Sequence, residues 1–258
     1  MGSASREALA QARTALGAGL DSNAGSELLA AARQIAGSPA LAAALGDASA
    51  DAQAKTQVVE RLFSGLSAGA RSVLAAAVQG RWSNVDEFVS GVEELGIRAV
   101  GAANPSLSDD LLAVVDVIDR NHDLQLSLGS KLADPAGKAA LVQRLFGGKT
   151  SEASLAVVSH LVTSPRGRRL DATLRQAAHT AADQAGSELA TVTVAVPLSA
   201  AQQDRLARAL EQSAGRPVRI TTVIDTELVG GIRVQIGDNV IDGSVRARLD
   251  DLRQQLAA

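Results

Sequence analysis

The chain has 258 residues, 46% of them apolar but only 2% aromatic, with a net charge of −3 and no cysteine. That length leaves room for about one to three domains with a sizeable core. Lack of cysteine excludes disulfides and thiolate metal sites, and the near-neutral charge supplies no field to gather nucleic acid or anionic lipid.

The opening residues, MGSASREALAQAR, lack the apolar core of a signal peptide, and no run reaches the about 18 apolar residues that a membrane span needs. Alanine and leucine at helical spacing predict helices instead. Residues 5–20 place Leu9, Ala12, Leu16 and Leu20 on one stripe. Residues 26–36 form a second helix, ending at Gly37. Ser38 and Pro39 suit the cap and first position of a short third helix. Residues 51–63 are expected to bury Val58, Val59, Leu62 and Phe63. Ser67 caps residues 68–79, with Val73, Leu74, Ala77 and Val78 inward. Residues 82–103 form a long sixth helix, burying Val85, Phe88, Val89, Val92 and Leu95.

Asn104-Pro105 punctuates the chain, and the pattern then repeats. LAAALG at Leu41 returns as LQLSLG at Leu124, and DAQAKTQVVERLF at Asp51 as DPAGKAALVQRLF at Asp134. The constant offset pairs Lys55 with Lys138, Val59 with Val142 and Phe63 with Phe146. Residues 151–163 repeat the fifth helix, and after a two-residue insertion VDEFV at Val85 returns as LDATL at Leu170. The expected organisation is a helical bundle over 1–104, a second over 105–187 and a small domain over 188–258.

In that last part, residues 189–196 read as a strand. Ser199 and Gln202 form a capping box that opens a helix over 200–214. Val218, Ile220, Thr222 and Ile224 alternate as in a half-buried strand, as do Ile232, Val234 and Ile236 after Gly230-Gly231. A tight turn at Gly237 leads to a short strand at Val240-Ile241. Asp242 stands where an N-cap belongs, before Gly243 and a helix whose stripe is Val245, Leu249, Leu252 and Leu256. The fold class is mainly α with a C-terminal α+β domain: two tandem helical bundles, then a small β-α-β-β-α unit.

Catalytic signals are weak. His122, His160 and His179 have no ligand-like spacing and read as surface or cap histidines. Adjacent carboxylates at Glu93-Glu94, Asp109-Asp110 and Asp250-Asp251 read as solvated faces rather than acid/base pairs. Gly230-Gly231 joins two strands without any phosphate-loop pattern, so it reads as a bend. The basic run Pro165-Arg166-Gly167-Arg168-Arg169 reads as a solvated turn, with an acidic partner helix as the alternative. Trp82 reads as a core anchor or turn lock, with a partner hot spot as the alternative. From Pro217 onward five arginines face six acids without an aromatic residue, which argues against nucleic acid.

The stretch VRITTVIDTELVGGIRVQIGD followed by NVIDGSVRARLDDL resembles the C-terminal signature of the δ subunit family of bacterial F-type ATP synthases, the OSCP family of mitochondria. That family carries one N-terminal helical bundle; the doubled bundle here is similar to long actinobacterial forms. The resemblance implies a non-catalytic stator subunit of the peripheral stalk, without cofactor or metal. It would link the catalytic head to the b-subunit stalk and resist rotor torque, lying peripherally at the cytoplasmic face of the plasma membrane. It also implies helix-in-groove contacts: α-subunit N-terminal segments on Leu9, Arg13, Leu16, Leu74 and Val78, and C-terminal helices of b on Val245, Arg248, Leu249, Leu252 and Leu256. Two bundles give room for two α segments. Gly230, Gly231, Gly237, Asp242 and Gly243 are expected to hold the fold rather than a ligand. A scaffold or RNA-binding module built on the α+β domain is the alternative function.

Overall fold

The computed structural model describes residues 1–17, 20–130, 132–236, 239–247 and 249. Gly237, Arg248, Leu252 and Leu256 lie outside the described residues. The chain divides into two compact units, 1–181 and 182–258.

The first unit carries eleven described helices: α1 Ser3–Arg13, α2 Ala24–Ala36, α3 Pro39–Gly46, α4 Ala52–Leu62, α5 Ala68–Gln79, α6 Val85–Ala103, α7 Leu107–Asp119, α8 His122–Gly129, α9 Pro135–Phe146, α10 Glu152–Thr163 and α11 Leu170–Gln184, in whose last turn the division falls. Helix caps recur at the positions where the sequence pattern repeats. The Asp51 side chain accepts from Ala54 N and that of Asp134 from Gly137 N; Ser67 accepts from Ala70 N and Ser151 from Ser154 N. Lys55 and Lys138 are both buried, as are Val59 and Val142, and Phe63 and Phe146. A cap satisfies amides that the first helical turn leaves open, so repeated caps fix repeated helix starts.

Helix α7 was not singled out in the sequence, although Leu107, Leu111, Val114, Val115 and Ile118 form its buried stripe. Helix α1 is shorter than expected, because the Thr14 hydroxyl bonds back to the Gln11 carbonyl and the chain leaves the helix there. Asn84 caps α6, so that helix starts three residues later than predicted. Leu62 is 53% exposed, contrary to its expected burial, because Val59 and Phe63 take the inner face of α4. The two-residue insertion is split, one residue before Ser151 and one in the α10–α11 turn.

Helix α6 is the spine of this unit. Twelve of its nineteen residues are buried, so it is covered on more than one side. On one side α2 lies close: a Cβ on Gly25 would stand 2.6 Å from the Val100 backbone nitrogen. On another, Glu93 reaches the second repeat. Arg168 grips both its carboxylate oxygens, with Nη1 at 2.7 Å from Oε1 and Nη2 at 3.0 Å from Oε2. His160 Nε2 of α10 lies 3.2 Å from Oε2, and Arg166 Nη2 lies 3.1 Å away without the alignment of a hydrogen bond.

Glu93 and His160 are almost fully buried, which corrects their expected reading as a solvated face and a surface or cap histidine. Arg166 and Arg168 correct the reading of the basic run as a solvated turn: they face a carboxylate of their own chain. Burial alone pushes the Glu93 carboxyl up; the bonds from His160 and Arg168, with the charges of Arg166 and Arg168, outweigh it and hold the group at about 2.

The second unit is a four-stranded sheet of order β2-β1-β3-β4, with β1 Glu188–Val194, β2 Val218–Ile224, β3 Ile232–Ile236 and β4 Asn239–Asp242. β1 runs parallel to β2 and antiparallel to β3, and β4 is antiparallel to β3. The β1–β2 crossover is α12, Ala200–Ala214, opened by the predicted Ser199/Gln202 capping box and closed by Gly215 in the left-handed region. A crossover of this kind lets one amphipathic helix cover the face between parallel strands. Leu210 of α12 packs with Ala190, Val192, Val194, Val218 and Val234 of the sheet. Arg216 donates to Glu188 at 2.6 Å, tying the start of β1 to the turn before β2.

Two substitutions probe the spine. Gly25→Ala should cost about 1–3 kcal/mol, since the new methyl meets α6 backbone at Val100 and Gly96 as well as the Val100 side chain. Gly65→Ala, with nothing within 4 Å of its Cβ, should be near neutral. Urea unfolding followed by the fluorescence of the single tryptophan distinguishes them. Glu93→Gln should destabilise the chain by roughly 3 kcal/mol at neutral pH, because it leaves two arginines facing an uncharged amide.

The acid dependence has a definite sign. The folded Glu93 carboxyl lies below its ordinary 4.5, so its contribution is fully present above that pH and is lost as pH falls towards about 2. The gap between native chain and variant should therefore shrink on acidification; a constant gap from pH 7 to pH 2.5 would contradict the assignment.

Candidate partner-binding surfaces

Alongside α1 runs a cleft of about 520 Å³, lined by Ala4, Glu7, Ala8 and Gln11 of that helix, by Gln79 at the end of α5, by Gly80, Arg81, Trp82 and Ser83 of the α5–α6 turn, and by Ala48. Ser5 and Ser83 hold its two walls together: the Ser83 amide donates to the Ser5 hydroxyl at 2.8 Å. Trp82 closes the turn by donating from Nε1 to the Ala77 carbonyl at 2.8 Å, and its ring meets Phe88 edge-on at 5.8 Å. It is thus the expected core anchor, with part of its surface in the cleft wall. The lining mixes apolar contact with one acid, one base and two amides, which suits an amphipathic segment better than a small reactive substrate.

The five residues expected to meet a partner on this bundle divide in two. Leu74 and Val78 are fully buried and Leu9 nearly so; all three are spent on the core. Leu16 is half-buried and Arg13 is exposed, so these two remain as surface groups. Sequence reasoning weighed Trp82 as a partner contact but missed the α1 side of the cleft, because Ala4, Ala8 and Gln11 lie outside the leucine stripe. The available signal was the run of small and polar residues beside that stripe.

On the C-terminal unit Val196 and Ile224 are exposed singly, and further exposed apolar residues follow in the last part of the chain. Val229 is 73% exposed, Val240 57%, Ile241 56%, Val245 41% and Leu249 51%. Strand β4 is an edge strand with all four residues exposed. Val245 and Leu249, two of the residues expected to meet the stalk, are therefore at the surface.

The expected fold residues act through the backbone. Gly231, at φ 81°, lets Gly243 and Ser244 pass close: a Cβ there would stand 2.4 Å from the Gly243 carbonyl. Gly243 N donates to Ile232 O and Val245 N to Gly230 O, so the Gly-Gly bend seats the start of the last helix. The expectation that Asp242 caps that helix is corrected. Asp242 ends β4; its Oδ1 accepts from Ser244 N and its Oδ2 from Arg233. Ser244 is the cap, with its hydroxyl accepting from Ala247 N. The Ser244 bonds, with help from Arg233, hold the Asp242 carboxyl below its ordinary range.

Among the described residues no group of three or more His, Cys, Asp or Glu could hold a metal ion. No single described helix is long and apolar enough to cross a membrane.

The family model for the ATP synthase delta (OSCP) subunit matches residues 99–256, which takes in the second repeat and the C-terminal unit. Relatives match beyond that span. The ATP synthase subunit delta of Leifsonia xyli is 45% identical with complete coverage of both chains. That of Streptomyces coelicolor is 37% identical over 100% of this chain and 99% of its own, and that of Nocardia farcinica 34% over the whole of both. A chain from the Toxoplasma gondii mitochondrial ATP synthase hexamer aligns with a TM-score of 0.40 at 23% identity, covering 60% of this chain and 88% of that one. With its second repeat and C-terminal unit matched by the family model and its whole length matched by relatives, this chain belongs to the ATP synthase delta (OSCP) subunit family.

Proposed function

We propose that the chain is the non-catalytic connector of an F-type ATP synthase, linking the catalytic head to the peripheral stalk and holding the head against rotor torque. Full-length likeness to delta subunits carries this reading. The two surfaces support it, since they sit on different units of the chain and so suit attachment to two partners.

In this reading the first repeat takes the N-terminal segment of a head α subunit. The cleft beside α1 offers Ala4 and Ala48 to the apolar face of a helix, with Glu7 and Arg81 at hand for its charges. Arg13 and Leu16 extend the contact along the chain from α1. The C-terminal unit takes the C-terminal helices of the b subunits on Val245, Leu249 and the stripe continued by Leu252 and Leu256, with Arg248 beside it. Apolar side chains supply affinity in helix-in-groove recognition, and flanking charges supply orientation. The chain would lie peripherally at the cytoplasmic face of the plasma membrane, held there through its partners. We read residues 1–104 and 105–187 as two bundles of one design, joined through α6, and 188–258 as the stalk-binding domain.

A torque-bearing link needs stiffness more than chemistry. Close-packed helices resist deformation because their side chains already occupy the available space.

Immobilised on a resin, the full chain should retain both b and the nucleotide-hydrolysing head from solubilised membranes. Leu249→Asp should weaken binding to a peptide of the b C-terminal helix at least about tenfold, by placing a charge in an apolar contact. Its unfolding midpoint should not move, since Leu249 is 51% exposed. A chain ending before Asp242 should lose b altogether while its helical circular dichroism persists. Full affinity for b after that truncation would refute the assignment.

A further inference from the structure

The two repeats differ at one place where a partner would enter. In the first, α1 and the α5–α6 turn bound the open cleft. In the second, the position of α1 is taken by α6 itself. Its residues 86–96 stand 83 residues after Ser3–Arg13, the offset that relates α2 to α7 and α3 to α8. Moreover α6 meets α10 and the α10–α11 turn, as α1 meets α5 and the α5–α6 turn. Helix α6 therefore ends one bundle and begins the next.

At this equivalent place the space is filled. Glu7 lines the open cleft; its counterpart Ser90 accepts a hydrogen bond from Arg166 Nη1 at 3.2 Å. Ala10, beside Gln11 but outside the cleft lining, is exposed; its counterpart Glu93 is 4% exposed beneath Arg168, Arg166 and His160. The third residue of each turn decides the difference. In the first it is Trp82, whose ring packs on Phe88 of the helix that follows. In the second it is Arg166, which turns back onto the helix that occupies the α1 position.

The backbone is shaped for this. Arg166 has φ 46°, the one positive φ at a non-glycine among the described residues, and Gly167 follows at φ 77°. A side chain in that region is strained and persists only when its surroundings hold it. Arg166 also keeps Nε buried without a hydrogen-bond partner, a further cost that a solvated arginine would avoid.

We infer that the α10–α11 turn is a built-in plug: Arg166 and Arg168 occupy in the second repeat the cleft left open in the first, so that the chain offers one helix-binding cleft and not two. The identity of the ligand rests on the proposed function; the closed state of the second cleft does not.

Because the chain has no cysteine, single thiols report access cleanly. In the full chain, Ser90→Cys, at a half-buried position beneath Arg166, should react with a maleimide dye several-fold more slowly than Glu7→Cys at its exposed one, as the Arg166 side chain screens it. Arg166→Gly, which suits the positive φ and leaves the Arg168–Glu93 pair in place, should bring the Ser90→Cys rate up to that of Glu7→Cys. Equal rates with the turn intact would overturn the plug, as would a slow rate that Arg166→Gly leaves unchanged. Should Ser90→Cys not fold, amide hydrogen exchange of residues 86–96 in native and Arg166→Gly chains replaces it, with the same two outcomes.

Calorimetric titration with a synthetic α N-terminal peptide supplies the second readout. One peptide should bind per chain, and none after Glu7→Trp fills the first cleft. Two per chain, or binding that survives Glu7→Trp, would also overturn the plug. Absence of any binding to the native chain would remove the proposed partner, while the labelling rates still decide whether the second cleft is closed.

Discussion

Helix α6 has to satisfy two neighbours at once, and the first unit depends on how it does so. Towards α2 the demand is for closeness: Gly25 gives up its side chain so that the backbones approach, and Leu28, Leu29 and Ile35 fill what remains. Towards the second repeat the demand is for charge. Glu93 is taken out of water, which for an isolated carboxylate would cost several kcal/mol, and the cost is met by a two-pronged arginine, a histidine and a second arginine. Apolar residues in place of the whole cluster would stabilise about as well if they packed. What the ionic arrangement adds is direction: Arg168 can grip both oxygens in one orientation, whereas a greasy contact slides.

That directionality bears on the difference between the repeats. The caps at Asp51 and Asp134, and at Ser67 and Ser151, are interchangeable in kind, and Lys55 and Lys138 are buried alike. Helix starts and core positions have therefore stayed the same between the copies. The departures lie in the turns, where an extra residue is tolerated because the flanking helices hold their own hydrogen bonds. One such turn carries Trp82 and the other Arg166. Apolar packing onto the next helix in one copy becomes ionic packing onto α6, the helix in the α1 position, in the other.

Much of this architecture was legible in the sequence, for reasons that are local. The offset between Asp51 and Asp134, the Ser199/Gln202 box and the Gly230-Gly231 bend each involve residues near one another in the chain, so periodicity and turn chemistry reach them. The Glu93 cluster was not legible. Glu93 and Arg168 are 75 residues apart, and a lone acid beside Glu94 looks like any solvated pair until the fold brings its partner. Leu74 and Val78 show a different limit. A stripe on a helix says that a face is apolar, without saying whether the core or a partner covers it, and here the core does. Asp242 was misplaced by two residues because Asp and Ser are both good caps; the strand pairing of Asp242 with Arg233 leaves Ser244 to open the helix.

The two units also differ in how they would bear load. In the first, force applied at α1 passes through the Ser5–Ser83 contact and the α5–α6 turn into α6, and from α6 through Glu93 into α10 and the α10–α11 turn. Each step is a packed or bonded contact between helices, so displacement at one end must break a specific interaction before the next element moves. In the second, β1 lies between β2 and β3, and its seven-residue parallel register with β2 makes it the strand that must shear before the sheet opens. The exposed edge at β4 lies farthest from that central strand and next to the Gly230-Gly231 bend. A partner helix seated there would add apolar contact without having to displace any strand of the sheet, which is the arrangement expected of an attachment point that must hold without deforming what it holds.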